Sequence, residues 1–142
     1  MLVQSYLFFD GRCDEAIEFY KKALGAEVVM LMRFKDSPDP SQCAPGSLDK
    51  VMHTTLKIGD TLVLASDGEC KGKTNFQGFA LVLNVANEAE ADKKFNAVGA
   101  GGQVVMPLAK TFFSPRFGMT TDKFGVMWMI IVEDAAAKSK AA

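Results

Sequence analysis

Ala23-Leu24-Gly25-Ala26-Glu27-Val28-Val29-Met30 and Ala97-Val98-Gly99-Ala100, followed by Gln103-Val104-Val105-Met106, are two forms of one sentence. Each closes an amphipathic segment, places a glycine at its end and runs on into a short β-branched stretch. In the first copy Ala16, Ile17, Tyr20 and Leu24 recur at helical spacing, and Gly25 supplies the residue that most readily ends a helix. In the second copy Ala91, Phe95 and Val98 mark the stripe, and Asn87 with Glu90 has the spacing of a capping box. Glu27–Phe34 and Gln103–Met106 read as the strands that follow.

Working outward, the order repeats. A strand over Leu2–Phe9 precedes the first helix, Asp14–Leu24, and one over Phe79–Val85 precedes the second. Val51–Ile58 and Thr61–Ser66 follow in the first half, joined by Gly59-Asp60 at the length of a two-residue type II′ hairpin turn. Thr111–Met119 and Val126–Val132 follow in the second. Asp14-Glu15-Ala16 matches Asn87-Glu88-Ala89, and Gly59 with its strand to Asp67 matches Gly125 with its strand to Glu133. The reading is an α+β chain of two β-α-β-β-β modules, 1–67 and 77–134, with a linker over 68–76 and a flexible tail over 135–142. One such module hides one sheet face under its helix and leaves the other open. Two together, paired in one chain or across a dimer, are expected to form a curved mixed sheet around a concave cavity suited to a ligand. The stretch 35–50, with Pro38, Pro40, Pro45 and Gly46, has no periodicity and reads as a surface excursion or a lid.

Composition narrows the function classes. The 142 residues are 49% hydrophobic and 23% charged with net charge −1, so the chain folds as one domain and carries no field for nucleic acid. The N-terminus lacks a basic stretch and no run reaches the length of a membrane span, so neither a signal peptide nor a membrane partner is expected. Cys13, Cys43 and Cys70 are odd in number and lack CxxC spacing. That argues against a disulfide framework or structural zinc and fits a cytoplasmic location.

Five stretches stand out: Tyr6-Leu7-Phe8-Phe9-Asp10-Gly11, Glu15-Ala16-Ile17-Glu18-Phe19-Tyr20, His53-Thr54-Thr55-Leu56, Leu64-Ala65-Ser66-Asp67 and above all Arg116 to Trp128. On these the chain resembles the vicinal-oxygen-chelate superfamily of glyoxalase, bleomycin-resistance and extradiol dioxygenase proteins, and within it the PhnB-like branch. Many members hold a divalent metal with His, Gln or Glu from the first and last strands of each module. Gapless matching puts those positions at Ser5, Val63, Ala80 and Met129, none a credible ligand, and a one-residue slip to Gln4, Leu64, Phe79 or Trp128 offers at most one. The resemblance therefore implies no metal and no cofactor here. PhnB-like proteins often carry a methyltransferase label, but no Gly-rich cofactor loop follows a strand.

The expected cavity lining is Ser5, Leu7, Phe9, His53, Thr55, Val63, Ala80, Met127 and Met129, with Trp128, Phe8 and Phe79 in the core. His53, the only histidine, is the titratable candidate for acid–base work, and Asp67 is either its partner across the hairpin or a turn cap. Asp122 reads as a turn residue and Arg116 as a surface cation able to meet an anion. Three readings follow. The first is a metal-free small-molecule-binding protein. The second is a divalent-metal lyase, isomerase or dioxygenase with an unorthodox ligand set including His53. The third is a homodimeric interaction module whose cavity is filled. The resemblance implies a homodimer in each case.

Overall fold

The computed structural model describes residues 1–38, 46–70 and 73–133. The expected tail over 135–142, Cys43 and the middle of the 35–50 excursion lie outside the described residues. The elements run β1 (Tyr6–Phe8), α1 (Cys13–Leu24), β2 (Glu27–Arg33), β3 (Val51–Ile58), β4 (Thr61–Ser66), β5 (Leu81–Val85), α2 (Glu88–Gly99), β6 (Gln103–Ala109), β7 (Phe117–Thr121) and β8 (Met127–Val132). The chain divides into two compact units, 1–74 and 75–142, each α+β and each in β-α-β-β-β order.

Both units wind identically. The first sheet has strand order β1-β4-β3-β2 and the second β5-β8-β7-β6. In each, the first strand pairs parallel to the last and the remaining pairs are antiparallel. The duplication extends to irregularities: the register slips between Val28 and Met30 in one unit and between Val104 and Met106 in the other. Bulges recur at fixed places because they re-aim the residues that follow. Met30 and Met106 are thus equivalent, and the registers carry the equivalence to Thr55 and Met119, to Leu64 and Met129, and to Tyr6 and Val82.

The helix ends follow local chemistry. Gly25 takes a left-handed φ of 69° while its N–H and that of Ala26 donate to the Lys21 and Tyr20 carbonyls. Asn87 Oδ1 accepts from the Glu90 N–H at 2.9 Å, and Glu90 in turn accepts from the Ala86 N–H. Gly99 is the last residue of α2 and serves packing: a Cβ there would stand 2.7 Å from Thr120 Oγ1. Cys13, Ala16, Ile17, Tyr20 and Leu24 of α1 are buried, and the Phe9 and Tyr20 rings meet with centroids 6.1 Å apart. Burial of Ile17 or Leu24 contributes about 1.5–3 kcal/mol each over leaving the side chain in water.

Several boundaries differ from the sequence reading. The first strand is confined to Tyr6–Phe8, and the fifth begins at Leu81. The expected strand from Thr111 starts only at Phe117, because the Thr111 hydroxyl accepts from the Phe113 and Ser114 N–H groups and holds a turn. The strand from Gln103 runs on to Ala109 through Pro107, which an edge strand tolerates. The described ends of the 35–50 excursion are stitched together, Phe34 N–H to Lys50 O and Lys35 N–H to Leu48 O.

Candidate functional site

Strand alternation sorts each sheet into a face under its helix and a face turned away from it. In the first unit Leu7, Thr54, Leu56, Val63 and Ala65 are buried and paired with one another across the strands. The opposite face carries Tyr6, Phe8, Met30, Met32, His53, Thr55, Leu62 and Leu64. It is largely apolar and accessible, with Tyr6 36%, Met30 38% and Met32 37% exposed.

Three polar side chains on this face converge, while Lys57 and Glu27 stand further along it. The Tyr6 hydroxyl lies 3.0 Å from His53 Nδ1, and the Thr55 hydroxyl 3.4 Å from Nε2. The Tyr6 ring lies 5.5 Å from the imidazole and 4.8 Å from the Phe8 ring, centroid to centroid. An imidazole with one nitrogen engaged is held in orientation and can offer the other as donor or acceptor. The arrangement can therefore hydrogen-bond a polar substituent while the aromatic and thioether side chains cover apolar surface.

Of the expected lining, His53 and Thr55 stand on this face, and Met127 and Met129 on the corresponding face of the second sheet. Leu7, Phe9 and Val63 do not. They are 2%, 1% and 6% exposed and packed under α1, the opposite phase to that expected. Ser5 precedes β1 and its carbonyl accepts from the Leu64 N–H; Ala80 precedes β5. On the first sheet this face also carries Tyr6, Phe8, Leu62 and Leu64, each one position from an expected residue, and Met30 and Met32 on β2, which the expected lining did not include. Phe8 and Phe79, expected in the core, are exposed, whereas Trp128 is buried.

Asp67 is neither a partner of His53 nor a simple turn cap. Its Oδ1 accepts from the Gly11 and Cys13 N–H groups, each at 2.8 Å, and its Oδ2 from the Val51 N–H at 2.7 Å. One buried carboxylate thereby ties the β1–α1 turn and the start of α1 to β3. Asp122 plays the turn role expected, accepting from the Phe124 and Val126 N–H groups and from Trp128 Nε1. Arg116 is engaged by Asp92, through Nε at 2.9 Å and a terminal nitrogen at 2.7 Å. Burial, with the charges of Asp67 and Asp14 adding to it, pushes the Cys13 thiol far above its ordinary range and makes it a poor nucleophile.

The positions equivalent by register on the outer face of each last strand are Leu64 and Met129, and on each first strand Tyr6 and Val82. Of these only the Tyr6 hydroxyl is oxygen-bearing, so the set does not fit a hard divalent ion. Among the described residues, no group of three or more His, Cys, Asp or Glu is placed to hold a metal.

The family model described as 3-demethylubiquinone-9 3-methyltransferase matches residues 2–131. The chain belongs to this family, the PhnB-like branch of the vicinal-oxygen-chelate superfamily. It is 34% identical to protein YjdN of Escherichia coli over 140 residues, covering 93% of this chain and 95% of that one. The crystal structure of PA1353 from Pseudomonas aeruginosa superposes with a TM-score of 0.82 at 39% identity, covering 94% of this chain and 98% of the other. A PhnB protein from Bacillus cereus, titled a putative 3-demethylubiquinone-9 3-methyltransferase, gives 0.78 at 26% identity, covering 93% and 99%. More distant fosfomycin resistance and glyoxalase-related proteins share the fold alone. The fold class is thus that of the glyoxalase and bleomycin-resistance proteins.

Proposed function

We propose that the chain binds a small, largely apolar molecule on the outer face of its first sheet, without the divalent metal centre of its superfamily. The observation that carries this is the Tyr6–His53–Thr55 constellation set in an accessible field of Phe8, Met30, Met32, Leu62 and Leu64. A ligand there would gain apolar burial from the surround and orientation from a few polar atoms, the usual division of labour in a small-molecule site. Met127 and Met129 give the second sheet a similarly adaptable outer face. The protein acts as a cytoplasmic homodimer.

The family's methyltransferase description finds little support in the residues. A Gly-rich turn of the dinucleotide-binding kind leaves its backbone amides free at the strand–helix junction. In the first unit the Gly11 and Cys13 amides are already taken by Asp67, and in the second the Glu90 amide is taken by Asn87.

Thermal unfolding in the presence of a panel of metabolites and antibiotics tests the proposal. A compound that raises the melting temperature of the parent protein but not of His53→Gln supports it; a panel without effect on the parent overturns it.

A further inference from the structure

Six of the eight methionines stand on the faces turned away from the helices: Met30 and Met32 on the first sheet, and Met106, Met119, Met127 and Met129 on the second. Leucine would supply the same apolar area. What methionine adds is a polarizable sulfur on a flexible stem.

On the first sheet the two methionines share a face with His53. Met32 is the register partner of His53, and Met30 is the partner of Thr55, two residues along the same face. Directly opposed Cβ atoms lie about 5 Å apart and diagonal ones about 7–8 Å, within the reach of thioether side chains that converge. His53 Nδ1 is engaged by Tyr6 at 3.0 Å, and the Thr55 hydroxyl approaches Nε2 at 3.4 Å, where a hydrogen bond is weak and readily displaced.

We infer that Met30, Met32 and His53 Nε2 form a site for one soft monovalent cation, copper(I), with silver(I) as its redox-inert analogue. Two thioethers and one neutral imidazole make an uncharged, soft donor set, which selects copper(I) over the hard divalent ions that carboxylates and water hold. Tyr6 is a positioning residue. With the proton on Nδ1, that N–H donates to the Tyr6 oxygen and the Nε2 lone pair is left for the metal. The site is distinct from the outer positions of the first and last strands, since His53 lies on β3 and both methionines on β2. It also stands apart from the organic-ligand reading, whose panel is run on protein free of added metal.

Thiols bind the same ions, so the test uses a Cys43→Ser/Cys70→Ser protein; Cys13 is buried. Copper(I) affinity is measured by competition with bicinchoninate, and silver(I) is titrated into protein with 13C-labelled methionine methyls. The expected result is one equivalent bound, with the Met30 and Met32 methyl resonances shifted. Met30→Leu/Met32→Leu should weaken binding by about tenfold or more and Tyr6→Phe by about tenfold. Met106→Leu should leave it unchanged. No binding in the cysteine-substituted protein, shifts confined to Met106, Met119, Met127 or Met129, or undiminished affinity in Met30→Leu/Met32→Leu would each overturn the inference.

Discussion

Tyr6 on β1 and His53 on β3 meet above the strand that separates them. The hydroxyl lies 3.0 Å from Nδ1 across β4, beside Leu64, which is the register partner of both Tyr6 and Thr55. A hydrogen bond that spans three strands on an accessible face adds little to the core. It holds an imidazole upright where a ligand can reach it.

Removing that bond should therefore cost affinity and spare stability. Tyr6→Phe is expected to change unfolding free energy by less than about 1 kcal/mol and to weaken a bound ligand by about tenfold. Urea unfolding and calorimetric titration of the same protein give the two numbers.

Asp67 should behave in the opposite way. Asp67→Ala strands three backbone N–H groups at the start of α1 and β3, and a loss of about 3 kcal/mol or more is expected. Asp60→Ala, at the exposed hairpin turn, should stay within about 0.5 kcal/mol. Equal effects from the two in chemical denaturation would refute the role given to Asp67.

Asp122 has a spectroscopic readout, because the single tryptophan donates its Nε1–H to Asp122 Oδ2 at 2.9 Å. Asp122→Asn should shift Trp128 emission and lower stability by about 1–3 kcal/mol. An unchanged spectrum would show that the indole finds another partner.

The Cys13 thiol sets a pH dependence. Its folded pKa is raised by burial, so its contribution to stability is fully present below the unfolded value near 9.0 and is lost as pH rises above it. From that point stability should fall by about 1.4 kcal/mol per pH unit through this group alone. Cys13→Ala should show a shallower decline between pH 9 and 10.5 in parallel denaturation curves.

The duplication was open to inspection in the sequence because its punctuation is local: Gly25, Gly59, and the Asn87–Glu90 pair each act within a few residues. The facing of the first sheet was not. Tyr6-Leu7-Phe8-Phe9 is apolar throughout, so no alternation marks which side chains lie under α1. Matching Gly59 to Gly125 then selects Val63 where the register selects Leu64. The reason is turn length, since two residues separate Ile58 from Thr61 while five separate Thr121 from Met127. In a strand that single step exchanges the faces. The last strand of the second sheet escaped the error because Met127, Met129 and Ile131 alternate with Trp128, Ile130 and Val132, which are buried. Asp67 was visible as a residue but not as a clamp, since its partners Gly11, Cys13 and Val51 are distant in sequence.

In the proposed function, the outer face of the first sheet is the binding surface, with His53 as its polar anchor. The most direct measurement is a titration of the best-stabilising compound into protein labelled at the methionine methyls and the histidine ring, followed by NMR. Saturable shifts at His53, Met30 and Met32 that disappear in His53→Gln are the outcome expected of this binding surface. Saturable binding that leaves those three resonances in place would contradict it.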